Sequence, residues 1–217
     1  MSSFPTEHYI PVLIQGIQNE IIPDIGLYCI LALNHLLDVF PNVASTVVSQ
    51  GGVSALISKL GNFEYIDMAE HAISVLEKLS NEHAMPILKE GAFLCIVNLI
   101  DFFELNAQKH ALNAITNAAR AISDQATFLE SILPLLPALV QCVQYKGQAN
   151  LSINEKALEF FASLAENLSQ LTIESEEESR TNFEILCEQD LIGSLASLLG
   201  NAPTLTGGIF HLLTTVC

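Results

Sequence analysis

Six histidines, five cysteines and a run of three glutamates are the residues of this chain whose types could do chemistry. His71 and His110 each directly precede the first alanine of a recurring nine-residue motif. Two such histidines can open a zinc site, but zinc needs further carboxylate, thiolate or imidazole ligands at the same level, and none is fixed there. They read as a surface pair. His35 and His211 are equivalent positions too, yet four repeats apart they cannot meet. Cys29, Cys95, Cys142, Cys187 and Cys217 stand singly, without a C-x-x-C. An odd count at irregular spacing argues against a disulfide framework. Their apolar contexts, such as "FLCIV" and "LVQCV", predict buried thiols with raised pKa that act as small hydrophobes and not as nucleophiles. Glu176, Glu177 and Glu178 can chelate a cation or hold a basic peptide, although a run of like charge is ordinarily just solvated. Ser175, directly before that run, is a candidate for an acidophilic kinase. No phosphate loop, dinucleotide turn, H-E-x-x-H or nucleophile elbow occurs. The expectation is no catalytic residue, no metal and no cofactor.

Half of the 217 residues are hydrophobic and 15 % are charged, so the chain can bury a core and is not disordered. Eight Lys and Arg against 24 Asp and Glu leave a net charge of −16. Such a surface repels phosphate backbones and anionic lipid, which predicts protein partners, basic or neutral, with no nucleic acid and no membrane. No run approaches the roughly 20 uninterrupted apolar residues of a membrane span, and "MSSFPTEHYI" lacks a leader's basic and apolar regions. With unpaired cysteines, that suggests the nucleus, the cytoplasm or both; the sequons at Asn150 and Asn167 are read as chance.

The elements that must position any site come from a repeat. "ALNHLLDVF" at Ala32, "AISVLEKLS" at Ala72, "ALNAITNAA" at Ala111 and "ALEFFASLA" at Ala157 start 40, 39 and 46 residues apart. A weaker copy, "GIFHLLTTV", begins at Gly208. Ahead of several copies lies a second helical pattern, as in "GGVSALISKLGN", "GAFLCIVNLIDF", "LLPALVQCVQYK" and "LIGSLASLLGN". Short segments such as "PNVASTVVSQ" and "NEHAMPILKE" end at Gly51 and Gly91, where glycine suits a sharp turn. Short, middle and long helix make one armadillo-type unit. A partial first unit supplies a middle helix around "YIPVLIQGI". The predicted fold is all-α, a right-handed armadillo-type solenoid of about five repeats forming one domain over 1–217, with units near 1–40, 41–80, 81–122, 123–170 and 171–217. Insertions fall at 145–152 and, acidic, at about 168–182.

Within each nonamer, positions one, two, four, five and eight should pack. Positions three and seven share one face a turn apart. They read Asn34 and Asp38, Ser74 and Lys78, Asn113 and Asn117, Glu159 and Ser163, Phe210 and Thr214. Glu70, Lys109 and Glu155 continue that face one turn earlier. Such a polar ladder can bind a peptide backbone or dock a folded partner; the exposed side of any amphipathic helix is also polar. Import-adaptor nonamers resemble A-x-W-A-L-x-N-L, but this chain has no Trp and only Asn117 keeps the seventh-position Asn.

The run from Asp38 to Ile122, above all "YIDMAEHAISVLEKLS" and "FFELNAQKHALNA", resembles the N-terminal armadillo region of HECT-type E3 ubiquitin ligases of the thyroid-receptor-interactor and ubiquitin-fusion-degradation branch. "LPLL" at Leu133 and "GIFHLL" at Gly208 extend the resemblance more loosely over the chain. It implies a non-catalytic segment of a larger ligase that docks substrate proteins or ubiquitin, with the thioester cysteine in a remote domain. The alternative is a free-standing scaffold or karyopherin-like cargo adaptor that binds a basic peptide or protein.

Overall fold

A computed structural model of the chain describes residues 6–61, 63–145, 150–170, 184, 190–201 and 205–216. Among them every regular element is helical and none is a strand. Of the acidic insertion, Leu168, Ser169 and Gln170 close a long helix; Ser175 and Glu176 to Glu178 lie outside the described residues, as do Cys187, Cys217 and 146–149 of the first insertion. The chain sorts into two compact units, Met1–Ala114 and Ile115–Cys217.

The first unit begins with α1 (Thr6–Ile17), the middle helix expected around "YIPVLIQGI", and α2 (Pro23–Val39), its long partner. A 3-10 turn (Pro41–Val43) leads into the short α3 (Ala44–Ser49), the middle α4 (Gly52–Leu60) and the long α5 (Ile66–Lys89). α6 (Ala92–Leu99) is the next middle helix, followed by a 3-10 turn (Ile100–Phe102) and α7 (Leu105–Ala121), within which the unit boundary falls. Gly51 (φ 81°) and Gly91 (φ 78°) are left-handed, as the turn reading requires. The short helix expected from "NEHAMPILKE" continues α5 past a break at His83 (φ −127°, ψ 36°). That break places Pro86 in the first turn of the segment that follows, where a missing N–H breaks no helical bond.

Ile30, Leu33, Leu56, Ile73, Leu76 and Phe93 are wholly buried, so the apolar positions of long and middle helices meet in this unit's core. One packing expectation fails. Ala32, His35 and Val39, positions one, four and eight of the first nonamer, are exposed, because α2 packs against α1 and α5 and those positions point away from both.

In the second unit, Asp124 caps the three-residue α8 (Gln125–Thr127) by accepting from the Thr127 N–H at 2.7 Å. A π turn (Phe128–Ile132) and a 3-10 turn (Leu133–Leu135) precede α9 (Leu136–Gln144). Gln125–Gln144 is, by length and composition, apolar enough to cross a membrane, although Glu130, Ser131 and Gln141 interrupt its apolar residues. Its residues form four short helical pieces around Pro134 and Pro137, and Phe128, Ile132, Leu136 and Leu139 are buried in the protein. The long α10 (Leu151–Gln170) packs against α9 and α12 (Thr206–Val216), and α11 (Leu191–Asn201) packs on α9.

The cysteines divide. Cys142 is buried and Cys29 half-buried, its thiol pushed up by burial, but Cys95 is exposed on the outer face of α6, against the expectation of a buried thiol.

Candidate functional site

The polar face of the long helices forms two separate sets of bonds, one in each unit. In the first, Lys78 on α5 reaches across to α2, its Nζ 2.5 Å from Asp38 Oδ1 and 3.1 Å from the Asn34 carbonyl oxygen. Asn34 Nδ2 donates to Ser74 Oγ at 3.4 Å. Glu70 on α5 accepts from the Glu104 N–H at 2.6 Å, and Glu77 accepts from Asn113 Nδ2 at 2.7 Å while its other oxygen meets His110 Nδ1. Six of the expected residues are thus brought together: Asn34, Asp38, Glu70, Ser74, Lys78 and Asn113. Lys109, half-exposed on α7, joins none of these bonds.

His110 pairs with Glu77 and not with His71. Its reach is set by α7 lying beside α5, which a comparison of equivalent positions misses. The hydrogen bond that His110 donates to Glu77, aided by the carboxylate's charge, holds the His110 pKa above the ordinary 6.5 against burial and the Lys78 charge. A raised folded-state pKa means that the stabilisation is complete below about 6.5 and is lost as pH rises through the raised value. His110→Gln is therefore expected to shrink the gain in thermal stability that the chain shows on going from about pH 8 to about pH 6. Identical pH dependence in the variant's melting curves would show that the pair contributes nothing.

In the second unit, Glu159 on α10 accepts from Lys156 Nζ at 2.9 Å and from an Arg120 nitrogen at 3.1 Å. Lys156 first, then burial's opposing effect, then Arg120 set the Glu159 carboxyl, which is held below its ordinary 4.5. Arg120 Nε also donates to the buried Ser163 Oγ at 3.1 Å, and His211 Nε2 lies 3.0 Å from Glu166 Oε1. Between α10 and α12 these groups border a cleft of about 450 Å³, floored by Leu158 and Ala162 and walled by Glu155, Glu159 and Glu166 on one helix and His211 on the other. Asn117, half-buried on α7, is not part of that lining.

Sequence reasoning missed Glu77, Arg120, Glu166 and the role of His211. The signal was available: Arg120 and Glu166 each stand three residues past the seventh nonamer position, hence on the same helix face. What it could not show is that ladder residues mostly bond the neighbouring long helix. They clasp repeats together, and Glu155 is the exposed acid left at the cleft.

Residues 1–89 match the family described as "E3 ubiquitin-protein ligase TRIP12-like, TPR repeats". The E3 ubiquitin-protein ligase UPL3 of Arabidopsis thaliana is 32% identical over 204 residues, which are 93% of this chain and 10% of that protein. The E3 ubiquitin-protein ligase TRIP12 of Danio rerio is 28% identical over 97% of this chain and 10% of its own length. The chain is a relative of the TRIP12/UFD4-type ligase repeat region. It spans about one tenth of the length of these relatives. Among solved structures, a designed armadillo repeat protein in complex with the peptide (KR)4 superimposes with a TM-score of 0.62 at 17% identity, covering 96% of this chain and 99% of its own. The fold is that of armadillo solenoids, as the short, middle and long helices predicted, although the ligase family's description speaks of TPR repeats.

Proposed function

We propose that this chain is a non-catalytic docking module of a larger HECT-type ubiquitin ligase, and that the polar face of its long helices holds a substrate protein or ubiquitin for transfer. The cleft of the second unit carries the reading. Arg120 is engaged by Glu159 and Ser163, so Glu155 and Glu166 leave the cleft with an excess of negative charge over an apolar floor. That combination suits a lysine or arginine side chain, whose methylenes cover Leu158 while the cation meets carboxylate. An acceptor of ubiquitin must offer a lysine amine, and a net charge of −16 draws basic surfaces toward the module. Docking raises the acceptor's effective concentration near a remote thioester. The nucleus or cytoplasm is the proposed setting.

Glu155 is the residue to change, because reversing Lys78 or Glu159 also breaks bonds between helices. Glu155→Lys is expected to weaken binding of ubiquitin or a ubiquitin-fusion substrate by about tenfold, with an unaltered melting curve. Titration by fluorescence anisotropy reads this. Undiminished affinity would remove the cleft from the docking surface. The acidic cleft also fits a free-standing adaptor: capture of a Lys-Arg repeat peptide, with no binding of any ubiquitin form, would favour that reading.

A further inference from the structure

The edge of the first unit where its long helices begin carries a pattern that the cleft does not use. α2 and α5 run parallel in one register, since Asn34 meets Ser74 and Asp38 meets Lys78, both pairs 40 residues apart. α7 lies likewise along α5, because Glu70 accepts from the Glu104 N–H at its start and Glu77 accepts from Asn113 two turns further on. The segments leading into these three helices, 20–25, 64–67 and 101–105, therefore sit side by side. Each exposes an apolar side chain: Ile21 is 89% exposed, Tyr65 38% and Phe102 61%. Each also exposes two carboxylates, Glu20 with Asp24, Glu64 with Asp67 and Asp101 with Glu104. Lys109, half-exposed a turn into α7, and Lys59, half-buried in the last turn of α4, are the lysines that these segments have nearest in sequence.

Helix dipoles favour acids in a first turn, which accounts for Asp24 and Asp67. They do not account for Glu20, which precedes α2, or for leaving isoleucine and phenylalanine in water. Single exposed apolar residues are ordinary; three aligned at successive repeats, each between carboxylates, form a surface.

We propose that this edge docks a basic amphipathic helix of a partner protein. Packed helices lie about 8–10 Å apart, so the apolar residues recur at about that interval along the edge. A helix rising about 1.5 Å per residue returns to the same face at about 10 Å every seventh residue, and lysines beside that stripe meet the paired carboxylates. In an extended strand about 10 Å is three residues, which turns successive side chains to opposite faces. The partner's apolar stripe therefore has a heptad period, and about 15 residues span the three segments.

The probe is a labelled peptide of about 15 residues, with leucines at the first and fourth heptad positions and lysines elsewhere, titrated into the 217-residue chain beside a scrambled peptide of the same composition. The patterned peptide is expected to bind about tenfold tighter than the scrambled one. Joint replacement Ile21→Ser and Phe102→Ser, at exposed positions and with circular dichroism unchanged, is expected to erase that margin, while Glu155→Lys leaves it intact. Equal binding of the two peptides, or a margin that survives the joint replacement, overturns the proposal. A margin lost with Glu155→Lys alone would put the helix in the cleft and overturn it too, whereas the cleft reading itself stands or falls on ubiquitin binding.

Discussion

Phe160→Ala is expected to cost the second unit about 3–5 kcal/mol, the range for removing a wholly buried aromatic ring from a core that relaxes only in part. Phe160 has no exposed surface, and its ring centroid lies 5.0 Å from that of Phe161 with the planes at 75°. Edge-to-face pairs of this kind add about 0.5–1.5 kcal/mol beyond burial, so the loss should sit in the upper part of the range. α10 buries both rings and carries Glu155 and Glu159 on its more exposed side, which makes packing a condition of the cleft's geometry. Urea unfolding gives the loss, and amide exchange locates it: α10 should open more readily while α4 and α5 keep their protection. Phe160→Leu, which retains most of the volume, should cost less than half as much. A Phe160→Ala protein within about 1 kcal/mol of the parent would mean that α10 does not bury that face.

Asn154→Ala comes next, at about 2–4 kcal/mol, since it removes a buried amide and strips partners from several backbone carbonyls at once. Asn154 is 1% exposed, and its Nδ2 donates to the carbonyl oxygens of Cys142 and Val143 at 2.9 Å and of Tyr145 at 3.2 Å. Those carbonyls end α9, which stops at Tyr145 (φ −57°, ψ 130°) without the left-handed glycine that usually serves a helix C-terminus. The amide stands in for that cap and ties α9 to the start of α10. Asn167 repeats the device, its Nδ2 donating to the Arg120 carbonyl oxygen at 2.8 Å near the end of α7. Asn154→Asp is the discriminating companion: a carboxylate cannot donate, so it should lose as much as alanine or more. If aspartate matched the parent in urea unfolding, the carbonyl bonds would carry no weight.

Much of the fold was legible because its cause is local. A nine-residue pattern with apolar positions on a 3.6-residue period defines a long helix wherever it occurs, and glycine after a short helix admits the left-handed turn that Gly51 and Gly91 make. The same local rule misjudged Ala32, His35 and Val39, because whether a packing position finds a neighbour depends on what lies across from it. It also misjudged Cys95, whose neighbours in sequence are apolar although its side chain faces water.

The candidate site shows the division most sharply. Sequence alone determined that one face of the long helices is polar, and it named Asn34, Asp38, Ser74, Lys78, Glu159 and Ser163 as members. Only the tertiary structure decided what they touch. Lys78 reaches Asp38, Glu77 reaches His110 and Asn113, and Arg120 reaches Glu159 and Ser163, each across 33 to 43 residues of chain. Such pairings follow from how far one helix slides and turns against the next. That register is set by the summed packing of both buried faces, so no window of sequence a few turns long contains it.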